Sequence, residues 1–257
     1  MRTPVLGVLL VALTAACQGA PQAGAGPAPA RDAIRSAADI MTRVAAAYPA
    51  APRTAAFTQA NTVALSSGDI LQRQRVLVRA PDAMRIDNLP LSGGSGAIYI
   101  DGRAISYASG RRAAAANERN PLMLLGFSVF AQPAAASVAS LSALGVRTSV
   151  IREETFDGAP VWVIGAAPGD STSNQVWIDS RRWIPLRIIQ SVRSGTRTLV
   201  SDTRFSGHAA PAPTVPRVID VYRDGRRALR GTIDDLRVGV TVPGAAFDTT
   251  ALRPVQY

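Results

Sequence analysis

Between Asp69 and Asp82 the chain alternates in a way that only an extended strand can use. Gln72, Gln74, Val76, Val78 and Ala80 fall on one face, and Arg73, Arg75, Leu77 and Arg79 on the other. The period is two, and a helix would mix the sets. The second set is charged, which predicts a solvated face. Thr54 to Leu65 reads as its partner, turned through Ser66-Ser67-Gly68. Comparable segments follow at Ala97 to Asp101, Arg103 to Tyr107, Val146 to Phe156, Val161 to Ala166 and Gln175 to Asp179. Others lie at Ile184 to Val192, Thr196 to Phe205, Val218 to Tyr222 and Ala228 to Val242. Gly, Pro, Asp and Ser separate them. About ten strands of this regularity predict a large antiparallel sheet that curls on itself.

Composition narrows the function. Aromatic residues make up 5% of the 257 residues, so aliphatic side chains and alanine must fill the core. All 28 basic residues are arginine and the net charge is +10, which favours anionic partners, although a solvated basic surface explains the same count. The arginines are scattered among strands, with neither a basic helix nor interleaved aromatics, which argues against a nucleic-acid partner. One Cys and one His rule out an internal disulfide and argue against a Cys/His metal site. There is no Gly-x-Ser-x-Gly elbow, and His208 sits in an Ala/Pro-rich loop. Asp234-Asp235 reads as a solvated pair, and the Gly93 to Gly96 stretch has no phosphate-loop lysine. No enzyme activity and no cofactor are expected.

Residues 1–16 have the layout of a secretory signal peptide: Arg2, an apolar run from Val5 to Leu13, then Thr14-Ala15-Ala16. Cys17 follows at once, and Leu13 to Cys17 resembles a bacterial lipobox with its leucine one step early, which makes Cys17 a candidate for lipidation and membrane anchoring. Gln18 in the next place, without the aspartate of inner-membrane retention, points such an anchor to an outer membrane. Residues 17–32 read as a flexible Ala/Gly/Pro tether, and residues 33–257 as the folded domain.

Two regions interrupt the strands. Asp32 can cap a helix running to about Tyr48, stopped by Pro49. Asn120-Pro121 starts a second helix in which Leu122 to Phe130 is apolar nearly all round, so it must be buried. Pro133 opens a third, with Val138, Leu141 and Leu144 in one stripe. These helices can lie across the sheet as a lid or complete an ordinary core, and the pattern fits both. Pro185 predicts an edge position or a bulge.

Several short motifs, in order, resemble the periplasmic lipoprotein carriers and receptors of the LolA and LolB superfamily. They are the entry helix, Phe57-Thr58-Gln59, Val78 to Pro81, the Asp101-Gly102 hairpin, Asn120 to Leu125 and the closing Pro243 to Asp248. The resemblance implies a single curled antiparallel sheet, an unclosed β-barrel covered by lid helices, whose apolar hollow takes acyl chains of lipoproteins or lipids. Candidate lining residues from the strands are Val76, Val78, Ile98, Ile100, Trp162, Ile164, Ile178 and Leu186; from the lid they are Leu122, Leu125, Phe127 and Phe130. The resemblance also implies an arginine latch just before the proline of the second strand. Ala80 stands there, with Arg79 beside it as the candidate. A lipidated N-terminus suits a membrane-bound receptor better than a shuttle. The same fold also resembles sensing domains of envelope-stress regulators, which implies a protein partner as the alternative.

Overall fold

In a computed structural model, residues 33–194, 196–250, 252 and 255 are described. Asp32, Cys17, the signal peptide and the tether lie outside them. The entry helix α1 (Ala37–Ala47) is capped by Ser36, whose side chain accepts from Asp39 N, so the cap falls four residues beyond the expected Asp32. Thirteen strands follow: β1 (Thr54–Leu65), β2 (Gly68–Arg79), β3 (Ala83–Asn88), β4 (Gly96–Ile100), β5 (Arg103–Ala108), β6 (Arg111–Ala116), β7 (Ile151–Phe156), β8 (Ala159–Ile164), β9 (Gln175–Asp179), β10 (Pro185–Ser194), β11 (Arg197–Ser206), β12 (Val218–Arg223) and β13 (Arg226–Val238). β3 and β6 were not expected. β3 is short and carries Arg85 and Asp87, and β6 is an exposed Arg/Ala edge without apolar alternation.

All thirteen strands form one antiparallel sheet in the order β6-β5-β4-β3-β2-β1-β13-β12-β11-β10-β9-β8-β7. The chain enters at the middle in β1, meanders out to β6, reappears at the opposite edge in β7 and meanders back until β13 pairs with the free side of β1. The sheet is unclosed. Asp101-Gly102, Asp157-Gly158 and Asp224-Gly225 have positive φ at both positions, the conformation that lets a two-residue hairpin follow the right-handed strand twist. Register shifts in β1–β13 at Ala56/Thr58 and in β9–β10 at Pro185/Arg187 bend the strands further. The expectation for Pro185 is therefore met by a bulge.

The edges are joined by helix. Pro121–Met123, Leu124–Ser128 and Val129–Ala131 run on as α2, wound as π-helix in the middle, and α3 spans Ala134–Ala143. Asn120 caps α2, its side-chain oxygen accepting from Leu122 N at 2.9 Å and Met123 N at 3.2 Å. α1, α2 and α3 bury their apolar sides in one cluster with the concave sheet face, including Phe57, Val76, Val78, Ile178 and Ile188.

The convex face corrects the sequence reading. The Arg73, Arg75, Leu77 and Arg79 side of β2 was expected to be wet, yet Leu77 is fully buried. Residues 240–250 and Leu252 fold back over β2 to β5, and Ala246, Phe247 and Leu252 pack on Leu77, Ile98 and Ile105. The chain at 240–242 was read as strand. It leaves the sheet after Val238 so that Val240 and Val242 can join this second cluster. Inside it Arg85 and Asp87 form a fully buried ion pair at 2.9 Å. Arg85 also donates to the Ala246 carbonyl at 2.9 Å and to the Tyr107 hydroxyl at 3.1 Å, and Tyr107 donates to Asp87. Burial, and then Asp87, hold the Tyr107 phenol well above its ordinary range. Gly96 makes room for this tyrosine: a Cβ there would lie 2.0 Å from the Ile86 carbonyl and 2.6 Å from the Tyr107 hydroxyl.

A buried pair stripped of one partner leaves a charge without compensation. Asp87→Ala is expected to lower unfolding free energy by about 3–5 kcal/mol in urea denaturation, whereas Arg85→Met with Asp87→Leu is expected to recover most of the loss. Equal stabilities for the single and double variants would contradict the pair's role.

Candidate functional site: the concave hollow beneath the lid

Along β1 and β2 the concave face changes character. Ala55, Phe57, Val76 and Val78 come first and lie under the lid, where Phe57 stacks on Phe127 of α2 with ring centroids 6.5 Å apart. The next positions are amides. Gln59 lies opposite Gln74 and Asn61 opposite Gln72. Gln59 donates to Asn61 at 2.8 Å, Asn61 to Gln74 at 2.9 Å, and Gln72 and Gln74 both donate to Asn88, at 3.1 and 2.9 Å. On the neighbouring strand Gly231 leaves room for them, since a Cβ there would sit 2.7 Å from Asn61 Oδ1 and 2.8 Å from Gln59 Nε2.

These amides line one wall of a hollow of about 210 Å³. Met84, Ile86, Phe205, Ile219, Val221 and Leu229 line the rest, and the first turn of α2 closes it with Asn120, Pro121 and Leu122. The hollow is amphipathic without a charged lining residue. Pro121, Thr203 and Val221 also border a wider cleft of about 850 Å³, whose rim carries Arg103, Arg119 and Arg223 together with Asp101 and Glu118.

The structure divides the expected lining residues. Val76, Val78, Leu122, Leu125, Phe127, Phe130, Ile164, Ile178 and Leu186 lie in the cluster under the lid, with Trp162 packed against it. Of these, Leu122 lines the open hollow; the others are in contact with lid and core side chains. Ile98 and Ile100 belong to the convex cluster. Ile98 pairs with Arg85, while Tyr99 pairs with Met84, so period two turns the isoleucines of β4 outward and Tyr99 inward. Burial, with Glu118 adding to it, raises the Tyr99 phenol above its ordinary range. The amide row was missed. Its signal is a run of uncharged polar residues continuing an apolar strand face, at Gln72 and Gln74 after Val76 and Val78.

Arg79 is not the latch. It pairs with Asp82 at 3.0 Å and lies over the Phe247 ring at 4.9 Å, on the convex side. A latch position at Ala80 would face the lid, and the one-residue offset sends Arg79 the other way. The lid is held instead by Arg53, which donates to the Ala131 carbonyl at the end of α2, and by Ser128, whose hydroxyl lies 2.8 Å from the Pro81 carbonyl. Tyr48 packs edge-on against Phe130 at 5.6 Å.

The loop after β11 supports the lid's other flank. Ala212 and Val215 are buried in the main cluster, and Pro216 faces Gly126 of α2, where a Cβ would lie in ordinary contact, 3.6 Å from the proline ring. His208 in this loop is 3.0 Å from the Pro213 carbonyl through Nδ1, which is therefore the protonated nitrogen. Among the described residues no group of His, Cys, Asp and Glu could hold a metal ion, and no helix is long and apolar enough to cross a membrane.

An unclosed antiparallel sheet whose edges are bridged by helices across its hollow is a recognisable fold. Its architecture is LolA/LolB-like. The chain superposes with a TM-score of 0.56 on a domain from Vibrio parahaemolyticus named for outer membrane lipoprotein sorting, at 14% identity over 84% of this chain and 97% of that one. A LolA superfamily protein from Nitrosomonas europaea gives 0.52 at 15% identity over 85% and 99%. A DUF1329 family protein from Desulfovibrio piger gives 0.55 at 14% identity over 84% and 98%. No family model matches the sequence, and no curated protein does.

Burial pushes the His208 pKa down to about 4, with the hydrogen bond to Pro213 opposing it. On acidification the unfolded state takes up the proton first, so the stabilisation is complete above the ordinary value of 6.5 and is lost as pH falls toward about 4. The expected loss across that window is on the order of 2 kcal/mol. Urea denaturation against pH should show it, and His208→Gln should flatten it.

Proposed function

We propose that this protein binds acyl chains of lipoproteins or lipids at the periplasmic face of a bacterial envelope, in lipoprotein sorting or lipid transfer, and is not an enzyme. The observation that carries the reading is the hollow itself. Six apolar side chains and an uncharged amide row line it, and a helix bound by few hydrogen bonds closes it. An acyl chain gains about 0.8 kcal/mol per buried methylene without any specific polar contact, and an apolar-lined hollow of this kind supports that reading. If α2 swings away from Pro81 and Arg53, the packed concave residues Val76, Val78 and Ile178 extend the same apolar floor. The fold shared with lipoprotein-sorting structures supports the reading, and so does the signal-peptide-like pattern of residues 1–16, with Cys17 as the proposed lipid anchor.

Native mass spectrometry and lipid extraction of the full chain, produced in a diderm host, test it directly. A co-purified acyl lipid or lipopeptide near one equivalent is expected, and Ile219→Arg, which puts a cation into the hollow, should reduce it at least about tenfold. A lipid-free protein that also ignores a fluorescent fatty acid would overturn the acyl reading in favour of a protein-partner module. For the anchor, Cys17→Ser should move the protein from the membrane to the soluble fraction.

A further inference from the structure

The β1–β2 hairpin ends in side chains that a soluble surface does not explain. Leu71 is 84% exposed, and Leu65 and Ile70 are each 48% exposed. All three stand within one turn of the chain. Ile70 is on the concave face and Leu71 on the convex face, so the tip is apolar on both sides. β3 pairs with β2 only as far as Gln74, so the tip stands beyond its neighbour on that side.

The surroundings are basic. β13 runs antiparallel to β1, with Leu229 opposite Val63, which brings the β12–β13 hairpin and its exposed Arg226 and Arg227 to the same end of the sheet. Arg73 is exposed on the tip's own strand, and Arg197 at the β10–β11 turn. At this end of the two central hairpins the carboxylates are Asp69 and Asp224, and Asp224 accepts from Val200 N at 2.9 Å, while Asp220, Asp234 and Asp235 lie further along β12 and β13. Exposed aliphatic side chains ringed by arginines match one surface in particular. The apolar tip fits the acyl boundary of a bilayer, and the guanidinium groups fit its phosphates.

The tip is also continuous with the hollow. Ile70 pairs with Val63, Val63 with Leu229 and Leu229 with Val221, all on the concave face, and the last two line the hollow. We propose that the β1–β2 tip is a membrane-docking element for anionic bilayers: Leu65, Ile70 and Leu71 enter the interface, Arg73, Arg226 and Arg227 bind headgroup phosphates, and the open end of the hollow is thereby directed at the lipid. This docking is separate from anchoring through Cys17. It rests on the acyl-binding reading only for the use of the track.

The test uses the full chain carrying Cys17→Ser, so that no lipid anchor contributes, with co-sedimentation on vesicles of phosphatidylcholine with phosphatidylglycerol and of phosphatidylcholine alone. The N-terminal apolar run is common to every variant, so differences report the tip. The parent is expected to prefer anionic vesicles and to lose that preference in high salt. Ile70→Ser with Leu71→Ser should lower partitioning at least about tenfold on either vesicle, with an unchanged thermal melt because both side chains are exposed. Arg226→Gln with Arg227→Gln should remove about fivefold of the anionic preference per arginine. Undiminished partitioning of the serine variant overturns the proposal. So does a tip-dependent dimer in sedimentation velocity without vesicle binding, which would assign the tip to a second copy. Neither outcome depends on whether lipid co-purifies in the hollow.

Discussion

A sheet with two free edges, made from one chain that must pass from the first edge to the second, constrains everything else in this structure. β6 and β7 are the edges, and the chain between them has to travel across the open side of the curl. An irregular crossing there would bury backbone groups without partners. A helix satisfies its own backbone and offers an apolar surface to the concave face. Thus the lid follows from the topology. Its first turn, fixed by the Asn120 cap, stands at the mouth of the hollow, while the π-wound middle and Phe130 sit on the packed part of the floor.

The two sheet faces solve different problems. On the concave side the strands supply side chains to three helices, and packing is incomplete where α2 begins, which leaves the hollow. Among the described residues the convex side has no helices. Over β2 to β5 it is covered by the closing segment, held by Arg85 through the Ala246 carbonyl. Over β9 to β12 it is covered by side chains alone: Arg187 lies 4.8 Å from the Trp177 ring and pairs with Asp202 at 2.7 Å, and Arg204 lies 4.6 Å from the Tyr222 ring. Arginine serves here because its flat guanidinium stacks on a ring and meets a carboxylate at once.

Strand periodicity made most of the sheet legible, and the Asp-Gly turn at 101–102, the Asn120 cap and the Pro185 bulge carried signals of their own. What periodicity does not encode is which side of a strand becomes concave. Ile98 and Ile100 alternate as well as Val76 and Val78 do, and only the register of β4 against β3 separates them. β6 was illegible because an exposed edge of arginine and alanine needs no apolar face. The hollow was illegible for another reason: Phe127 and Ile178 in a filled core have the same pattern as residues lining a void. The amides Gln59, Asn61, Gln72 and Gln74 were the one readable mark of where filling stops.

The seam between β1 and β13 has a consequence for how the molecule is made. Every other strand pairs with its sequence neighbour across a turn or short loop, so the two meanders can zip locally as they emerge. β1 is different. One of its edges finds its hydrogen-bonding partner only after almost the whole domain has been synthesised, and the intervening chain must first be ordered. Until then β1 presents an open edge to any other extended chain nearby. A protein built this way folds at the pace of its last strand, and it gains from being kept unfolded or shielded until that strand arrives.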